Sequence, residues 1–128
     1  MTERAGPGSH ALTLPSVPQS VARVRRYAVD ACRARGFEGD RDTLALLVSE
    51  VVTNALLHGT GEVQVRVLGE ASRLRVEVSD GSDVMPVRRD SEADAEGGRG
   101  LALVDALSAR WGADPRAGGK TVWFELLA

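Results

Sequence analysis

Two stretches of alternating residues constrain this chain most. In "EVQVRVLG" (62–69), Val63, Val65 and Val67 alternate with Gln64 and Arg66; in "RLRVEVSD" (73–80), Leu74, Val76 and Val78 alternate with Arg75 and Glu77. A period of two describes a strand with one wet and one buried face. The turn at Gly69–Ser72 between them is short, so they predict an antiparallel hairpin whose apolar face must be covered. Two upstream segments carry the other period. From Pro18 to Arg35, Val21, Val24, Ala28, Ala31 and Cys32 recur at helical spacing, with Pro18 suited to the first turn and Gly36 to the stop. A second helix is predicted from Asp40 or Asp42, either of which can serve as N-cap, to Gly59 as the residue just past its end.

The rest of the chain fits the same scheme. "HALTLPS" reads as a short strand closed by Pro15. "GGRGLALVDALSARWG" reads as a third helix behind a glycine-rich start, with an extra short strand near Trp111–Asp114. "GGKTVWFELLA" closes the chain as a strand with Val122, Phe124 and Leu126 on one face. The expected fold is an α/β (α+β) two-layer sandwich, a mixed, mostly antiparallel sheet with helices on one face. One domain is expected over residues 10–128, behind a disordered Gly/Pro-rich stretch at 1–9. Residues 82–97 form a polar loop with five acids (Asp83, Asp90, Glu92, Asp94, Glu96), long enough to suggest a functional or disordered segment.

Composition narrows the function classes. Hydrophobic residues make up 43% of the 128, enough for a core. The net charge of −2 argues against direct nucleic-acid binding. No apolar run approaches the ~18 residues of a membrane span, and MTERAGPGSH lacks the apolar stretch of a signal peptide. The single Cys32 fits a reducing cytoplasm, and two histidines with one distant cysteine make a poor zinc site.

The candidate chemistry lies where polar residues break these patterns. On the second helix, Leu44, Val48, Val51 and Ala55 centre the core face. Glu50, Asn54 and His58 lie beside it within a stripe of ~80°. Leu46 and Leu57 flank that stripe on its other side, whereas an ordinary wet face would be broad and rich in Lys and Glu. The plain alternative is a half-exposed stripe without function, with His58 merely ending a helix. Asp80 falls on the apolar side of its strand by alternation, where a carboxylate needs a donor. It is either a turn aspartate in "SDGSD" or an acceptor for a ligand's amino group. "GGRGL" (97–101) before a helix suits an anion, or equally a hinge. "GGKT" is not a phosphate-binding P-loop, because Asp114 stands where that pattern needs glycine and a strand follows the lysine. No G-x-G-x-x-G follows a first strand either.

Together, E-x-x-x-N-A-x-x-H on a helix, an Asp at a strand end, G-x-G-L after a loop and a Gly-then-Thr before the last strand resemble the GHKL ATPases. The similarity runs through roughly residues 10–127. It is strongest to the single-domain anti-sigma-factor serine kinases and their actinobacterial-type relatives. The resemblance implies a Bergerat-type sandwich with ATP between helices and sheet. Glu50 would be the general base, and Asn54 would ligate Mg²⁺. His58 would line the same pocket, and Asp80, next to Gly81, would accept the adenine N6 amino proton with support from the Thr121 hydroxyl. Gly98, Arg99, Gly100 and Leu101 would cradle the phosphates, and residues 82–97 would form a lid. The partners implied are a small anti-anti-sigma-like protein as substrate and a sigma factor as a second partner; relatives commonly form homodimers. Two functions compete: an ATP-dependent serine/threonine kinase, and a nucleotide-gated protein-binding module with little catalysis. The second is favoured by Glu96, whose charge just before the glycine motif would repel a triphosphate. A domain that binds no nucleotide is a third reading.

Overall fold

The elements follow one another as β1 (Ser9–Pro15), α1 (Gln19–Ala34), α2 (Arg41–His58), β2 (Glu62–Gly69), β3 (Arg73–Asp80), a short helix α3 over residues 102–107, β4 (Arg110–Arg116) and β5 (Gly119–Leu127). They are seen in a computed structural model that describes residues 9–58, 61–82 and 102–128. The strands form one sheet in the order β1-β2-β3-β5-β4, and every described pairing is antiparallel. This is the expected two-layer sandwich.

The hairpin forms in the register that alternation requires, with Val65 opposite Val78 and Val67 opposite Val76. Gly69 takes a φ of 142° at the turn, and a side chain there would collide with the backbone of Arg73. On β5, Val122, Phe124 and Leu126 face Val78, Val76 and Leu74 in turn, so three strands present one apolar surface. Leu44, Leu47, Val48, Val51 and Val52 from α2, with Val24, Ala28 and Cys32 from α1, close over it, and all are buried. Each such side chain stabilises the fold by about 1.5–3 kcal/mol, which is why the period-two and period-3.6 patterns must meet face to face.

The helix boundaries have local causes. Asp40 caps α2: its Oδ1 accepts from the backbone N–H of Asp42 at 2.8 Å and of Thr43 at 3.3 Å. These donors, Thr43 foremost, hold its carboxyl below the usual carboxylate range. α1 ends where Gly36 turns left-handed at φ 71°, while Gly36 N–H donates to Arg33 and Phe37 N–H to Cys32. Phe37, just past the turn, packs into the core.

One expectation is corrected in extent. The strand near Trp111–Asp114 runs over the whole of Arg110–Arg116, and α3 stops at 107 instead of continuing towards Trp111. β4 is an edge strand, so Pro115 costs no interior ladder bond; Pro15 ends the opposite edge strand in the same way. The lid over 83–97, the glycine motif at 98–101, Gly59 and the N-terminal stretch 1–8 lie outside the described residues.

Candidate functional site

Of the expected polar stripe on α2, Glu50 and Asn54 lie within the described side chains. Glu50 is half-buried and Asn54 is only 8% exposed, one helical turn further on. The Asn54 side chain can make four hydrogen bonds but makes none among the described residues. Its neighbour Ser49 is the opposite case, since its hydroxyl donates to the Ala45 carbonyl at 2.8 Å and accepts from Arg25 Nη1 at 3.0 Å. The amide atoms of Asn54 are not among the sealed, unpartnered ones, so the carboxamide reaches solvent from an otherwise buried residue and is open to a ligand. The backbone of His58 closes α2, and its side chain lies outside the described residues. Leu46 and Leu57, beside the stripe, are 40% and 62% exposed.

Asp80 ends β3 on the helix-covered face, 5% exposed. Its donor is Lys120, directly opposite on β5, whose Nζ lies 3.0 Å from Asp80 Oδ1. Both side chains are almost sealed from solvent, at 3% for Lys120 and 1% for Asp80. The Ser82 backbone N–H also donates to Oδ1, at 2.8 Å. The carboxylate is therefore asymmetric: Oδ1 holds both donors, while Oδ2 is buried without any among the described residues. Gly81 follows, exposed. Gly119 lies so close to the Asp80 carbonyl that any side chain on it would clash.

Thr121 does not join this group. It pairs with Ser79, one register step from the Asp80–Lys120 pair, and so projects from the opposite face. Its hydroxyl is 2.7 Å from that of Ser79. The expected support of Asp80 by Thr121 is corrected on this ground: the residue that meets the carboxylate is Lys120. The signal was present, because alternation back from Val122, Phe124 and Leu126 puts residue 120 on the covered side.

The uncovered face carries its own polar structure. Thr13, Gln64 and Ser79 line a cavity of about 250 Å³ that also reaches Asp80 and Gly81 at the end of β3 and the Ala117–Gly118 turn. Further along, Glu125 receives Arg110 Nε at 3.0 Å and Arg75 Nη1 at 3.0 Å. Arg75 also stacks 4.1 Å from the centre of the Trp123 ring. The Arg110 hydrogen bond, with that of Arg75, holds the Glu125 carboxyl below the usual range against the opposing effect of burial. The Glu125 contacts brace the exposed side of the sheet.

An antiparallel sheet covered on one face by helices makes this an α/β sandwich, with Glu50 and Asn54 one turn apart on the covering helix. The chain belongs to the histidine kinase-like ATPase domain family, whose pattern matches residues 14–126. Such an ATPase domain implies ATP binding. The chain is similar to the RsbU and RsbW domains of Rv1364c from Mycobacterium tuberculosis, with 23% identity and a TM-score of 0.65 over 97% of this chain and 33% of that one. It is similar to the Acinetobacter baumannii histidine kinase AdeS, with 12% identity and a TM-score of 0.54 over 92% and 67% of the two chains. It is also similar to the histidine kinase domain of the Erythrobacter litoralis EL346 blue-light activated histidine kinase, with 26% identity and a TM-score of 0.51 over 89% and 61%. The chain thus spans a third of the length of the first of these and under two thirds of the last. Nothing matches among curated proteins. Among the described residues no helix is long and apolar enough to cross a membrane.

Proposed function

We propose that this chain binds ATP between α2 and the helix-covered face of the sheet and uses it as a regulatory protein-serine/threonine kinase of the anti-sigma type. One observation carries the reading: Asn54, 8% exposed, makes no side-chain hydrogen bond among the described residues, one turn after a half-buried Glu50, in a family of ATPase domains.

Asp80 accepts the exocyclic amine of adenine, with Gly81 letting the chain pass close to the base. Gly98, Arg99, Gly100 and Leu101 hold the phosphates through backbone N–H groups and the arginine's charge, and His58 lines the same pocket. Mg²⁺ suits the free carboxamide oxygen of Asn54, since it prefers hard oxygen ligands shared with phosphates, and when bound it neutralises charge on the transferring group. Glu50 takes the proton from a partner's serine or threonine hydroxyl. The freed oxygen forms a bond to the γ-phosphorus as the bond to ADP breaks. The substrate is a small anti-anti-sigma-like protein, with a sigma factor as second partner, in a cytoplasmic homodimer; the similarity to a protein with RsbU and RsbW domains speaks for partners of the anti-sigma regulatory kind.

A second reading has its own observation. Glu96 stands just before the glycine motif and would repel a triphosphate, which favours a nucleotide-gated binding module with slow or no transfer. Incubation with γ-labelled ATP and a serine-bearing anti-anti-sigma-like protein separates the two. The kinase reading expects label on that protein, reduced ~10²- to 10⁴-fold in Glu50→Gln with ATP affinity kept. Binding of ATP with no label transferred by the wild type would leave the gated module; full transfer by Glu50→Gln would remove Glu50 as the base.

A further inference from the structure

The Asp80–Lys120 pair asks for an explanation that stability does not supply. A buried ion pair is often no more stabilising than two apolar side chains of similar size, because both ions lose their hydration. Here the arrangement is also lopsided. Oδ1 of Asp80 takes both the Lys120 ammonium and the Ser82 N–H, while Oδ2 is buried with no donor among the described residues. The ammonium has three N–H donors, and its one hydrogen bond among the described residues is to Oδ1. A dry acceptor therefore stands next to a dry, under-used donor. That pattern complements an amine beside an unprotonated ring nitrogen, which is the edge of a 6-aminopurine. Guanine offers a carbonyl in place of the amine and fits it poorly.

We infer that Lys120 is a specificity-determining residue that reads the base together with Asp80: Oδ2 accepts from the exocyclic amine, and Nζ donates to the ring nitrogen flanking it. The inference rests on the ATP reading above and adds to it a second contact and a second residue. Because both groups lie away from water, a base lacking either partner leaves a buried charge unmet, and this makes such sites selective. Lys120 also fixes which carboxylate oxygen stays free. It turns Asp80 into a single acceptor; a symmetric carboxylate would suit the paired N–H donors of guanine.

The test is calorimetric, with ATP, 1-deaza-ATP and 7-deaza-ATP, each of which keeps the amine and triphosphate while the analogues lose one flanking nitrogen. The wild type is expected to bind one of the two analogues ~10-fold or more weakly than ATP. Lys120→Met is expected to bind ATP about as weakly as that analogue and no longer to distinguish the two. Should Lys120→Met melt well below the wild type, Lys120→Arg keeps the charge with a different donor geometry and is expected to alter the same affinity ratio. Equal binding of ATP and both analogues by the wild type overturns the role of Lys120 but leaves ATP binding standing. No binding of ATP by the wild type, with Mg²⁺ present, removes the ATP reading itself and this inference with it.

Discussion

At the scale of single residues, two buried polar side chains carry opposite expectations. Asp80 is tied to Lys120 and to the Ser82 N–H, so it has a structural duty as well as a proposed ligand. Asp80→Asn removes one charge of a buried pair and leaves the ammonium unmet, a loss of about 3–5 kcal/mol that urea unfolding would read. Asn54 has no hydrogen-bond partner among the described residues to lose. Asn54→Ala should therefore unfold within about 0.5 kcal/mol of the wild type; a large loss would mean that its carboxamide is structural. The sequence showed Glu50, Asn54 and Asp80 through their breaks in apolar periodicity. It did not show that Asp80 meets Lys120, because that pairing depends on the register between two strands 40 residues apart. Thr121 was misplaced for the same reason: a motif written along the chain does not say which face a residue takes, and one register step moves it to the other side.

At the scale of elements, helix ends and hairpins were legible because their chemistry is local. Gly36, the Asp40 cap and the Gly69–Ser72 turn each act within a few residues. Gly36→Ala tests the first. Nothing crowds the position, so the cost is that of a left-handed backbone alone, about 1–2 kcal/mol in thermal or urea unfolding. An unchanged stability would show that the turn relaxes to another conformation. β4 was only partly legible, because "RWGADPR" has neither alternation nor β-branched residues, and its strand character comes from pairing with β5. What braces that pair is Glu125 beneath Arg110 and Arg75. Arg110 is well exposed, so solvent screens part of the interaction, and Glu125→Gln should cost about 1–2 kcal/mol at neutral pH. The sign with pH follows from the lowered carboxyl. Its folded-state pKa lies below its unfolded one, so its contribution is present above the unfolded value and is lost as pH falls through the folded value. The wild type and Glu125→Gln should therefore converge in stability as the pH is lowered below the ordinary glutamate range. A gap that persisted in acid would mean the loss came from packing.

At the scale of the whole molecule, the sheet and helices form a scaffold whose polar exceptions gather on the covered side of α2 and at the end of β3. The two-layer architecture could be read from alternating periods alone, since an apolar strand face and an apolar helix stripe of this size have no other partner. The account's central claim is that the exceptions exist for ATP. If so, nucleotide at about 100 times its dissociation constant should stabilise the folded chain by about 2.7 kcal/mol. The most direct measurement is calorimetric titration of ATP, with and without Mg²⁺, into the wild type and Asn54→Ala. The account predicts binding by the wild type that is tighter with Mg²⁺, and loss of that Mg²⁺ dependence in a variant that remains folded. Absence of heat at millimolar ATP in the wild type, or the same Mg²⁺ dependence in both proteins, would contradict it.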